Sequence, residues 1–161
     1  MLTAISPIDG RYYSKVEGLS NYFSEFALIK FRVLVEVEYF IALCEIPLPQ
    51  LSNVPPEKFE VLRAFVDNFT LESAQRVKEI ESTTNHDVKA VEYLVKEYFD
   101  EINLGAYREF VHFGLTSQDI NNTAFPLMLK GALEKVCFTS YDDLHEALYD
   151  MASKLLNVPM L

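Results

Sequence analysis

Between Asn21 and Ile46 most positions are apolar. Asn21, Glu25, Arg32 and Glu36 recur at spacings of four, seven and four, which puts these four polar residues on one narrow stripe of a helix. A helix with so little polar surface must be buried on most sides, so the rest of the chain has to cover it. The means are present: half of the 161 residues are hydrophobic and 13% are aromatic. That composition argues against disorder, and the length suits one domain or one and a half.

The periodicity continues downstream. Ile46-Pro47-Leu48-Pro49 ends the first helix, because proline disfavours helical backbone in the residue before it. Pro55-Pro56 opens a second, with Phe59, Leu62, Phe65, Val66 and Phe69 in register, and Ala74, Val77 and Ile80 mark a third. After a polar break at Ser82–His86, Val88, Val91, Val95, Tyr98 and Ile102 define a strong amphipathic helix that Gly105 should cap. Thr116-Ser117-Gln118-Asp119 has the spacing of a capping box, and predicts a helix from Ser117 through Leu133 with a kink at Pro126. Ser140-Tyr141-Asp142-Asp143 repeats the cap before Leu144, Leu148, Met151 and Leu155. Residues 1–20 read as irregular, with a turn at Ser6–Tyr13 and nothing able to pack a helix. Only five glycines separate these stretches, so the expected fold class is all-α.

Charge and cysteine usage narrow the functions. Net charge is −10, and no basic cluster offers a phosphate-neutralising patch, which excludes a nucleic-acid partner. Cys44 and Cys137 lack metal or redox spacing and read as reduced, buried thiols. Met1–Val16 has no signal pattern, and the longest apolar run, Tyr39–Cys44, is too short for a membrane span. The reading is a cytoplasmic protein without a membrane partner. The ending Asn157-Val158-Pro159-Met160-Leu161 is apolar, as expected of a chain cut inside a structured region.

Two polar clusters fall at predicted helix N-termini: Thr84-Asn85-His86-Asp87 and Thr116-Ser117-Gln118-Asp119. Unpaired N–H groups and the positive end of the helix dipole suit phosphate or carboxylate there. His86 beside Asp87 is a usable acid/base arrangement, and Ser117 is a hydroxyl beyond what one cap requires. The other reading is plain capping, with Thr84 or Asn85 starting one helix and Thr116 the next. Arg11-Tyr12 could grip phosphate or be a solvated surface turn. His112, in an apolar run, reads as a core histidine near the Thr116 cluster, and His145 as a solvated one. No P-loop, GxGxxG or HExxH is present.

The residues of these clusters carry a resemblance. Ser6-Pro7-Ile8-Asp9-Gly10-Arg11-Tyr12 and Thr84-Asn85-His86-Asp87-Val88-Lys89-Ala90-Val91-Glu92-Tyr93 resemble two motifs of the bacterial-type adenylosuccinate lyase family. His112-Phe113-Gly114-Leu115-Thr116-Ser117-Gln118-Asp119-Ile120-Asn121-Asn122 resembles the first shared region of the wider fumarase/aspartase superfamily. The resemblance covers essentially the whole chain. It implies an N-terminal helical domain over 1–115 and the start of a central long-helix bundle over 116–161. It also implies a β-elimination releasing fumarate from a succinylated purine nucleotide, with no metal or organic cofactor.

Residue by residue, it implies that Arg11 and Tyr12 bind the nucleotide phosphate, and that Asn85, His86 and Asp87 form a second substrate-binding segment. His86 would be an auxiliary catalytic group, and Thr116 and Ser117 would bond a fumarate carboxylate. The family's general-acid histidine and base serine lie in regions expected beyond Leu161. Members are homotetramers whose sites combine residues from several subunits. This chain alone is therefore expected to be inactive. The alternative is a non-catalytic helical module that binds nucleotides or protein partners.

Overall fold

The computed structural model describes residues 2–159. The chain is 74% helical, and no strand occurs among the described residues, as an all-α fold requires. Met160 and Leu161, the last residues of the apolar ending, lie outside the described residues.

The segment Phe23–Met128 forms one compact unit, organised around its longest apolar stretch. Ser24 is extended, and its hydroxyl accepts the Ala27 N–H at 3.1 Å. That cap starts α3 (Glu25–Glu45). The start therefore falls later than the hydrophobic pattern predicts, and Asn21 belongs to a separate short helix. Helix α4 (Glu57–Asp67) follows Pro55-Pro56, and Thr70 caps α5 (Leu71–Thr84) through the Ser73 N–H. Helix α6 (Asp87–Glu101) carries the strong amphipathic pattern, and α7 begins at Ser117.

Helix α3 packs against α4, α5 and α6, and its Val33, Val37, Phe40 and Ile41 are buried among Leu62, Val66, Val77, Val91, Val95 and Phe99. Phe40 meets Phe99 edge-on at 4.7 Å, and Phe65 stacks on Tyr98 at 4.0 Å. A smaller cluster positions the site. Val35 of α3, Val88 of α6, and Ile120 and Ala124 of α7 are buried together, flanked by Phe31 and Leu115. The first turns of α6 and α7 are thereby anchored on one face of α3.

Several local expectations change. The polar break at Ser82–His86 shrinks, because Ser82 bonds the Glu79 carbonyl at 2.6 Å and α5 runs on to Thr84. Gly105 does not cap α6. Asn103 takes the left-handed position (φ 61°), Leu104 N–H bonds Phe99 O at 2.7 Å, and Asn103 N–H bonds Asp100 O at 3.3 Å, a Schellman ending. Gly105 instead opens a 3₁₀ segment, Gly105–Phe110, where a Cβ would stand 2.6 Å from Asp100 Oδ1. On the polar stripe of α3, Arg32 and Glu36 are buried while Glu25 is exposed. The cysteines are free but only half-buried, and burial pushes the Cys44 thiol up to about 11.

Met1–Tyr22 and Leu129–Leu161 form the other unit. The Ser6 hydroxyl donates to Asp9 Oδ2 at 3.0 Å and accepts the Asp9 N–H, making the predicted turn. The segment is less irregular than its composition suggests. Short helices α1 (Tyr13–Val16) and α2 (Ser20–Phe23) flank a 3₁₀ turn at Glu17–Leu19, built on local backbone bonds with no buried residue. In the C-terminal part, α7 (Ser117–Ala132), with Pro126 inside it, passes directly into a π-helical segment at Leu133–Cys137 and then α8 (Phe138–Leu155). Ser140 starts no new helix, because its hydroxyl bonds the Val136 carbonyl at 3.0 Å within the continuing turn. Helix α8 buries no residue, and Leu144, Leu148, Met151 and Leu155 are exposed. Among the described residues no helix is long and apolar enough to cross a membrane.

Candidate functional site

The link between α5 and α6 is as short as a helix–helix joint can be. Thr84 ends α5, Asn85 takes the left-handed conformation (φ 51°), and His86 is extended and begins the next helix. Neither Thr84 nor Asn85 caps α6, contrary to the capping reading. His86 does so with its ring, Nδ1 accepting the Lys89 N–H at 3.1 Å. A nitrogen that accepts carries no proton, so the ring proton of the neutral imidazole sits on Nε2. That nitrogen lies 3.3 Å from Ser117 Oγ, at the first residue of α7. The structure thus brings His86 and Ser117 together from positions far apart in sequence. With Nε2–H donating to Ser117 Oγ, the serine proton is left to point at a ligand.

Thr116 is arranged differently. Its N–H and its hydroxyl both donate to Asp119 Oδ2, at 2.7 and 2.8 Å. This is the reciprocal half of a capping box, with aspartate in place of glutamate. The two bonds hold the Asp119 carboxyl below its usual value. The Thr116 hydroxyl proton is therefore committed internally, and that of Ser117 is not.

Asp87 faces inward. Arg32 Nη2 lies 2.8 Å from its Oδ2, and the same guanidinium donates from Nε to Asn121 Oδ1 at 3.0 Å. Desolvation pushes the Asp87 carboxyl up, but the Val88 N–H and Arg32 outweigh it, and the net shift is downward. One turn along the α3 stripe, Glu36 Oε1 lies 2.5 Å from His112 Nδ1. Arg32 and Glu36 thus tie α3 to Asp87 of the first polar cluster and to His112 and Asn121 on either side of the second. Sequence reading passed over this role of Arg32 and Glu36. Their signal was two charged residues four apart in a helix otherwise apolar enough to be buried.

Behind the site, Glu92 bonds Lys89 at 2.7 Å and Lys96 at 3.0 Å. Beside Thr84, a shallow cleft of about 360 Å³ is lined by Arg76, Thr83, Tyr93 and Arg108 among others. Both guanidinium groups there are already paired, Arg76 with Glu97 and Glu79, Arg108 with Asp100. Arg11 and Tyr12 belong to the other unit, where the Arg11 guanidinium sits 4.6 Å over the Tyr12 ring. His145 is exposed. Among the described residues no three His, Cys, Asp or Glu side chains converge as a metal-ligand set.

Chemically, the arrangement presents an oriented donor at two adjoining helix N-termini: the Ser117 hydroxyl, with the His86 ring proton behind it. That suits a carboxylate or phosphate oxygen, and charge that develops on one during a reaction.

Comparison with known proteins gives concordant results. A family model described as "Lyase" matches residues 10–161. An adenylosuccinate lyase of Dictyostelium discoideum is 50% identical over 99% of this chain and 35% of its own length. One from Escherichia coli K12 is 44% identical over 99% of the chain and 36% of its own length. One from Legionella pneumophila strain Corby is 40% identical over the same shares. The chain spans about a third of the length of the curated relatives it matches.

Proposed function

The chain belongs to the lyase family, and from that membership we propose that it is the N-terminal third of an adenylosuccinate lyase. The reaction is a β-elimination. A base removes the proton from the carbon beside a carboxylate, the carbon–nitrogen bond breaks, and an acid protonates the leaving nitrogen. Fumarate departs from adenylosuccinate, giving AMP, or from the succinyl-carboxamide ribotide earlier in purine synthesis. The 3.3 Å approach of His86 Nε2 to Ser117 Oγ carries this reading, because it aims a free hydroxyl from two joined helix N-termini.

In this reading Ser117 donates to a carboxylate of the succinyl group, where negative charge develops as the proton leaves. His86 orients that hydroxyl and serves as an auxiliary catalytic group, while Asn85 and Asp87 shape the same segment. Thr116 supports the turn through Asp119. Arg11 and Tyr12 take the nucleotide phosphate. The principal acid and base reside elsewhere in the complete protein, so the 161-residue chain has no turnover of its own. Residues 1–115 form the N-terminal domain, and residues from 116 onward begin the long-helix bundle of a cytoplasmic homotetramer.

The test is to express the complete gene and follow fumarate formation from adenylosuccinate. Competition by AMP separates this enzyme from sister lyases whose substrates lack a nucleotide. Fumarate release by the 161-residue chain alone would sink the division of labour proposed here. A second reading, a helical interaction module, draws on the exposed apolar face of α8. Its mark would be a monodisperse, stable 161-residue protein in light scattering with no turnover in the complete protein.

A further inference from the structure

Glu36 and His112 are used by neither helix cap, yet they form the most shielded polar contact of the site. Glu36 is fully buried, its Oε1 meets His112 Nδ1 at 2.5 Å, and its Oε2 has no hydrogen-bond partner among the described residues. His112 also holds a left-handed backbone (φ 62°), a conformation that a residue with a Cβ disfavours. A buried carboxylate oxygen without a partner and a strained backbone are two costs at one point. A well-packed apolar pair would serve the fold at least as well. Backbone strain of this sort persists where the surroundings over-determine it, and it gathers at functional sites.

The position of the pair indicates its use. The Leu115 N–H bonds the His112 carbonyl at 3.2 Å, so His112 opens the turn that delivers Thr116 and Ser117 to the start of α7. Nδ1 of His112 is taken by Glu36, which leaves Nε2 as the other ring nitrogen. We propose that Glu36 is a positioning residue: it turns Nδ1 of His112 inward and so presents Nε2 as a charged donor to an anionic oxygen group of the substrate. This rests on the lyase reading and deepens it.

Electrostatics agree with the geometry. The hydrogen bond that His112 donates to Glu36 pushes the imidazole up, against desolvation, and so favours its cation. Burial pushes the Glu36 carboxyl up, and His112 opposes that. The charged groups facing the pair are Glu92 and Lys89 from α6 and Asp119 from α7. Glu92 is already neutralised by Lys89 and Lys96. Glu36 is therefore the group that sets the charge of His112.

The test uses the 161-residue chain, with ¹⁵N-detected NMR of the histidine rings and two probes: fumarate for a carboxylate and AMP for a phosphate. In the wild type, His112 should titrate above the ordinary histidine range, and at least one probe should shift its Nε2 resonance. Affinity for that probe should fall about tenfold as pH rises through the His112 midpoint. Glu36→Gln keeps an acceptor for Nδ1 but removes the charge. It should lower the midpoint by about one unit or more and weaken the probe about fivefold or more. Whichever probe responds names the group that His112 meets. If Glu36→Gln does not fold, the wild-type pH dependence and its loss in His112→Gln decide the matter. Equal probe affinity in wild type and variant, or no response of His112 to either probe, overturns the proposal. The lyase reading is judged separately, by turnover of the complete protein.

Discussion

The guanidinium of Arg32 lies 2.8 Å from the carboxylate of Asp87, so a side chain buried in α3 holds the first turn of α6. Through its Nε the same group holds Asn121 in α7. One buried cation thus registers two helix N-termini against each other, and the contact of His86 with Ser117 depends on that registry.

Arg32→Met should therefore cost about 2 kcal/mol of stability, the scale of hydrogen bonds to charged groups. Urea denaturation of the chain measures it. The same variant should broaden or shift the His86 and Ser117 NMR signals, although neither residue touches Arg32. A stability loss without that disturbance would leave the registry argument unsupported.

The acid limb of stability should respond to the same contact. Asp87 is held below its usual 3.8, so folding favours its ionised form. That contribution is complete above about 3.8 and is lost as pH falls through the folded value. In Arg32→Met the urea midpoint should fall less steeply over this range than in the wild type.

On the alkaline side the sign reverses. His112 is raised above its usual 6.5, so its contribution is complete below 6.5 and is lost as pH rises through its folded value. Glu36, raised above 4.5, adds a penalty once it ionises, absent below 4.5 and complete above its folded value. The urea midpoint of the wild type should decline above neutrality, and His112→Gln should lack the part of that decline that follows the His112 midpoint.

Ser117→Ala in the complete protein should lower kcat by roughly 10²-fold or more if its hydroxyl meets developing charge. Unfolding of the 161-residue chain should scarcely change, since the hydroxyl touches only the half-exposed His86 ring. His86→Ala should lower turnover roughly 10²-fold and also cost about 1 kcal/mol as a lost helix cap. A threefold or smaller change in both turnover and half-saturation would leave His86 as a cap alone.

Asn103 ends α6 in a left-handed conformation, with Leu104 N–H bonded to Phe99 O. Asn103→Ala should cost about 1 kcal/mol, while Asn103→Gly should be neutral or slightly stabilising. Thermal unfolding of the two variants side by side decides it. Equal melting temperatures would show that the ending is held by Leu104 burial alone.

The helices between Glu25 and Glu101 were legible because each repeats its apolar residues at a spacing set by backbone geometry, as Val88, Val91 and Val95 do. The two polar clusters were legible as helix N-termini for the same reason. The ends of helices were less so. Asn103 rather than Gly105, and His86 rather than Thr84 or Asn85, were chosen by which backbone groups found partners across the joint. The sequence by itself determined an all-α chain with Thr84–Asp87 and Thr116–Asp119 at helix starts. Only the tertiary structure decided that Val35, Val88, Ile120 and Ala124 pack together, so that those starts meet. It also decided that Arg32 and Glu36 of α3 face inward, to Asp87, Asn121 and His112. Periodicity reports which residues share a face; which partner that face meets depends on contacts between distant segments.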